Sequence, residues 1–210
     1  MGVQERRARE KQELRQDILA AARDLFIHEG FENVSMRKIA EKIEYSPTTI
    51  YLYFQDKIDL LDCICEETLV RLEERLVAIR IAYPEPLDKM RRGLLAYIDF
   101  GVEHPSDYRV AFMMEFKSLV ENGRLLRCHE IGHRVYQEFR ADVAECIETG
   151  AFAPRDVDAA TQAIWASIHG AAALLITRPL FPWVEQALLL ETLVDTVVEG
   201  FKSPIAVRAN

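Results

Sequence analysis

The run Met36-Arg37-Lys38-Ile39-Ala40-Glu41-Lys42-Ile43-Glu44-Tyr45-Ser46-Pro47-Thr48-Thr49-Ile50-Tyr51-Leu52-Tyr53-Phe54-Gln55-Asp56-Lys57 reads as two short helices with a tight turn between them. Ser35, just before it, is placed to cap a helix that carries Met36, Ile39, Ala40 and Ile43 on one face. Glu44-Tyr45 forms the turn. Ser46 caps the next helix, and Pro47 takes its first position, where a missing N–H costs nothing. That helix reaches about Phe54, and Gln55-Asp56 breaks the chain again. Helices of about eight residues are marginal alone in water, so both need packing partners. Ile39, Ala40, Ile43, Ile50 and Phe54 can supply a small shared core.

Upstream, Ile18, Ala21, Ala22, Leu25 and Phe26 repeat at helical spacing, Gly30 ends that helix, and Phe31 can fold back on it. Residues 1–13 are dense in charge, lack apolar periodicity and read as a mobile arm. Downstream, a long helix is predicted over 58–81, then helices over 87–103, 106–119, 123–149, 155–177 and 181–201, with Pro84, Pro86, Pro105, Pro154, Pro179 and Pro182 at the joints. There is no strand pattern and no repeat. The class is all-α, with an N-terminal three-helix domain over 1–56 and a larger helical domain over 57–210.

Half of the 210 residues are hydrophobic, enough for a real core. The formal net charge is −8. Residues 1–60 hold ten Lys+Arg and eleven Asp+Glu, and the remainder 16 and 23, so the acidity lies in the C-terminal part. Local placement of cations, not the total, then decides whether DNA can bind. Cys63, Cys65, Cys128 and Cys146 form no C-x-x-C pair and read as buried thiols. No uninterrupted apolar run spans a bilayer and no secretory signal is visible, which points to the cytoplasm and to no membrane partner.

A two-turn helix held at an angle on a three-helix base is the geometry that enters a DNA major groove. Ser46, Thr48, Thr49, Tyr51 and Tyr53 offer hydroxyls and rings on its outer face, and Arg37 and Lys38 open the helix before it. Lys57 begins the fourth helix, where a cation opposes the helix dipole; it becomes sensible if a phosphate lies there. Tyr51 and Tyr53 could instead pack on the fourth helix, and Arg37 could be a solvated charge.

The 36–57 run, with Ala21-Ala22-Arg23-Asp24-Leu25-Phe26 and Gly30-Phe31, resembles the DNA-binding signature of the tetracycline-repressor (TetR) family over about the first 65 residues. His104-Pro105-Ser106-Asp107-Tyr108-Arg109 and Trp165-Ala166-Ser167-Ile168-His169-Gly170 resemble segments of one subgroup's ligand domain. The resemblance implies a dimeric, ligand-responsive repressor of a palindromic operator, with no catalytic activity and no cofactor. It places Arg37, Pro47, Thr48, Thr49 and Tyr51 near base edges, and Tyr53 and Lys57 at phosphates. The family usually has Gly where this chain has Glu44. If that position is left-handed, Glu costs on the order of 1 kcal/mol more than Gly.

Two other classes stay in view. His129-Glu130-Ile131-Gly132-His133 matches the H-E-x-x-H zinc motif literally but lacks an obvious third ligand, so a helical zinc hydrolase is one alternative. A helical protein-interaction adaptor is the other. For the leading reading, the homodimer would use the last two helices: Ala159, Ala163, Ala166, Gly170 and Ala173 on one, and Leu188, Leu189, Leu193, Val194 and Val197 on the other. A small, largely hydrophobic effector would lie among Tyr97, Phe100, Arg109, Phe112, Phe116, His133, Tyr136 and Trp165.

Overall fold

Two serines and a glycine set the ends of the first three helices. A computed structural model of the chain describes residues 2–114 and 127–202. Helix α1 (Val3–Glu29) ends at Gly30, whose φ of 80° only glycine adopts without strain and whose N–H returns to the Phe26 carbonyl. The Phe31 ring then lies 5.2 Å from that of Phe26, the fold-back the sequence predicts. Ser35 Oγ accepts the Lys38 N–H and starts α2 (Met36–Lys42); Ser46 Oγ accepts the Thr49 N–H and starts α3 (Pro47–Tyr51). Both helices are shorter than expected, seven and five residues.

The next helices are α4 (Lys57–Ala82), α5 (Pro86–Glu103) and α6 (Pro105–Tyr108), the last running into a π-helical turn over Arg109–Met113. Then come α7 (Arg127–Glu148), α8 (Val157–Thr177) and α9 (Gln186–Lys202). No strand occurs among the described residues. Helix α9 begins five residues later than predicted, because Phe181-Pro182 sits in an ordered turn instead. The charged segment 3–13 is helical, with residues 4–13 exposed, and forms the first part of α1 rather than a separate arm.

The chain forms two compact units. The first comprises residues 1–69 with 106–129, and so takes in the start of α4 beyond the predicted boundary at 56, because Leu60, Leu61 and Ile64 are fully buried there. Its core joins Ile18, Leu19, Ala22 and Phe26 of α1 to Ile39 and Ala40 of α2 and Ile50 of α3. Arg23 of α1 and Asp107 of α6 form an ion pair with little exposure. Asp62 of α4 caps α7, accepting the N–H groups of Arg127 (3.2 Å) and Cys128 (3.0 Å) and the Arg127 guanidinium (3.0 Å). Burial opposes the charge on Asp62, but those donors outweigh it and hold the carboxyl below its ordinary range. All four cysteines are free and buried.

The second unit comprises residues 70–105 and 130–210, in which α5, α8 and α9 pack on one another. Helix α8 turns Ala160, Ile164, Ile168, Ala172 and Ile176 inward, and α9 turns Leu190, Val194 and Val198 inward. Val194, expected at the dimer face, is therefore core. Ala159, Ala163, Ala166 and Leu188 stand exposed, and Gly170, Ala173, Leu189, Leu193 and Val197 are half-buried. Between Ala159 and Thr177 there is no Asp, Glu, Lys or Arg. By length and composition α8 could cross a membrane, yet only 33% of its apolar stretch is buried within this chain.

Candidate nucleic-acid interface and aromatic cluster

The α2–α3 turn is closed by two backbone bonds, Tyr45 N–H to the Ala40 carbonyl (3.0 Å) and Glu44 N–H to the Glu41 carbonyl (3.2 Å). This pattern needs a left-handed residue, and Glu44 supplies it at φ 60°, the one non-glycine with positive φ among the described residues. The turn aims α3, whose inner residue Ile50 is fully buried and whose outer residues Pro47, Thr48 and Tyr51 are exposed, Tyr51 by 54%. Thr49 is half-buried, its hydroxyl 2.9 Å from Ser46 Oγ. Tyr45 and Leu52 flank the face and are also exposed.

The cations around this face have internal partners. Arg37 Nε lies 2.9 Å from Glu41, Lys38 Nζ 2.5 Å from Glu29 and Lys42 Nζ 2.6 Å from Asp24. The Lys42 contact holds the Asp24 carboxyl below its ordinary range. Lys57 bonds mainly to backbone: its half-buried ammonium donates to the Phe31 (2.9 Å) and Glu32 (3.4 Å) carbonyls, sits 4.4 Å from the centre of the Phe31 ring and lies 4.0 Å from the Glu32 carboxylate. Tyr53, just past α3, is half-buried, with Lys11 Nζ 6.0 Å from its ring centre.

The expected effector residues divide between the units. In the second, Trp165 of α8 donates its indole N–H to Tyr97 Oη of α5 (3.1 Å), and its ring meets Tyr136 of α7 edge-on at 5.9 Å. Phe100 is buried one turn from Tyr97, with its ring 5.0 Å from that of His104. His169, one turn after Trp165, is half-buried, and desolvation lowers its pKa. His133 points to solvent. Arg109 and Phe112 lie in the π-helical turn of the first unit, and Phe116 lies outside the described residues. His129 and Glu130 are exposed like His133, and no group of three metal-ligating side chains occurs among the described residues, so the zinc-hydrolase reading has no support.

Residues 18–64 match the family model for bacterial regulatory proteins of the tetR family, and residues 90–197 match that of the tetracyclin repressor-like C-terminal domain. The chain belongs to the TetR family. An HTH-type transcriptional regulator of Staphylococcus aureus (strain bovine RF122 / ET3-1) is 31% identical over 128 residues, covering 60% of this chain and 60% of that protein. The fold is shared with the ketosteroid transcriptional regulator KstR2 of Mycobacterium tuberculosis (TM-score 0.76, 20% identity, 90% of this chain and 95% of that one). It is shared also with the fatty acid degradation regulator FadR of Bacillus halodurans (TM-score 0.72, 19% identity, 92% and 97%).

Within this TetR-family domain, two fasteners escaped sequence reasoning. Arg15 pairs with Glu67 at 2.6 Å and lies 5.5 Å from the Phe54 ring centre. Lys57 reaches back 26 residues to a backbone carbonyl. A side-chain bond to a carbonyl leaves no residue-type signature at its acceptor, so no pattern in the chain announces it.

Proposed function

We propose that the chain is a ligand-responsive, dimeric transcriptional repressor that binds a palindromic double-stranded operator through α3. The observation that carries this reading is the exposed face of Pro47, Thr48 and Tyr51 on a helix whose other side, Ile50, is locked in the core. Arg37 and Thr49 extend that face toward base edges, and Tyr53 and Lys57 serve the phosphates. The protein works in the cytoplasm without catalytic chemistry or cofactor. Residues up to the start of α4 read DNA, and the rest dimerise and sense. Two-fold pairing through the outer faces of α8 and α9 repeats the half-sites at about one helical turn or a little more. Selection of bound duplexes from a random pool tests the reading: enrichment of an inverted repeat is the expected result, and no salt-sensitive duplex binding overturns it.

The effector is small and largely hydrophobic, held around Tyr97, Phe100, Tyr136 and Trp165. Two proteins that share the fold are named a ketosteroid transcriptional regulator and a fatty acid degradation regulator, in keeping with apolar ligands. It favours a dimer whose two α3 helices are wrongly spaced for DNA, through differential affinity for the two states. By linkage, operator DNA weakens effector binding by the same factor; equal affinity for free and DNA-bound protein sinks this mechanism.

A further inference from the structure

The segment joining α8 to α9 is an ordered apolar prong. Arg178-Pro179-Leu180-Phe181 is a tight turn, with Pro179 at its second position and the Phe181 N–H donating to the Arg178 carbonyl at 3.1 Å. The same carbonyl accepts the indole N–H of Trp183 at 3.0 Å, and the Trp183 ring packs 4.4 Å from that of Phe181. These bonds fix the turn and leave Leu180 at its tip 96% exposed, with Phe181 and Val184 more than half exposed beside it. A loop that orders itself in order to present a leucine to water gains nothing from it within one chain. The prong follows directly from the uncharged stretch of α8, where Trp165 and Leu174 are also exposed.

Charge indicates the occupant. Arg178 and Glu185 bracket the prong, both exposed, and neither is in an ion pair among the described residues. Opposite charges at the two ends of one segment are self-complementary under a two-fold axis, since two antiparallel copies place each arginine against the other copy's glutamate. The geometry points to the prong as a docking element for a second copy of this chain, with Leu180 packing on the exposed apolar residues of the partner's prong and two Arg178–Glu185 pairs setting the register. This rests on the dimer proposed above and adds a specific contact to it.

Sedimentation of the purified full chain over a wide concentration range provides the test. Leu180→Ser, at a position too exposed to affect the fold of one chain, raises the dimer dissociation constant on the order of tenfold or more. Arg178→Glu weakens the dimer, and adding Glu185→Arg restores it. Leu180→Cys carrying a benzophenone maleimide, selective because the native thiols are buried, cross-links isotopically labelled to unlabelled chains. A wild-type dimer with unchanged constants in these variants, and cross-links confined to one copy, overturns the prong while leaving the dimer standing. Failure of the double exchange to restore affinity overturns the antiparallel register. A wild-type chain that stays monomeric throughout overturns the dimer itself, and the prong with it.

Discussion

The ammonium of Lys57 lies 2.9 Å from the Phe31 carbonyl and 4.4 Å from the centre of the Phe31 ring. It ties the start of α4 to the turn after α1, so the residue proposed as a phosphate contact is already a fastener. Lys57→Ala is therefore expected to lower stability by about 1–2 kcal/mol, as for a partly buried bond to a charged donor. It should also weaken DNA binding on all sequences and flatten the salt slope by about one unit. Denaturant melts alongside titrations at several salt concentrations separate the effects; unchanged stability removes the fastener, and an unchanged slope removes the phosphate role.

Glu44 carries a left-handed backbone for which glycine is the natural choice. Glu44→Gly should stabilise the protein by about 1 kcal/mol, and Glu44→Gln, with the same backbone cost, should not. Both remove a negative charge beside α3, so both should tighten binding to non-specific duplex. If only the glycine variant binds more tightly, the effect belongs to the turn and not to the charge.

Arg37→Ala and Thr48→Ala should relax sequence preference while leaving stability nearly unchanged. Arg37 is exposed and its pair with Glu41 joins neighbours one turn apart, a contact worth about 0.5 kcal/mol or less. Repeating the duplex selection with each variant checks this, and an unaltered consensus would show that neither side chain reads bases.

Asp62 gives a pH signature. Its folded carboxyl is held below the ordinary range, so its stabilising effect is present above the unfolded value near 3.8 and is lost as the pH falls through the folded one. Asp62→Ala should cost about 1–3 kcal/mol at neutral pH, because it strands two helix N–H groups. It should also flatten the fall in stability below about pH 4. Chemical denaturation from neutral pH to pH 3 measures both, and parallel curves for the two proteins would refute the assignment.

Trp165 and Trp183 are the two tryptophans of the chain, so Trp183→Phe leaves a single reporter in the aromatic cluster. Its emission should respond to a bound effector. Tyr97→Phe, which leaves the Trp165 indole N–H without its acceptor, should cost about 1 kcal/mol and shift that emission. An effector that binds without moving Trp165 fluorescence lies elsewhere.

Elements whose cause is local were legible in the sequence. Ser35, Ser46, Pro47 and Gly30 act through bonds to near neighbours, and each does in the structure what its residue type and place foretell. The inward faces of α8 and α9 are periodic, but Val194 was expected on the outer face of α9 and is buried, because Leu and Val recur on more than one side of that helix and spacing alone does not choose a face. The exposed face of α3 was legible because a short amphipathic helix has only one other side. The partners of Lys57, Arg15 and Trp165 were not, since each depends on long-range packing. The same holds for the effector residues: aromatic type marks Tyr97 and Phe112 alike, and only the fold assigns them to different units.

The strained turn at Glu44 also has a mutational consequence. Glutamate and glycine codons differ by a single base, so this chain stands one point mutation from a relaxed turn. A randomly mutagenised library selected for heat resistance should return that change early and repeatedly. The domain thus begins with an accessible reserve of stability on which riskier substitutions in α3, made to redirect it to new operators, can be built.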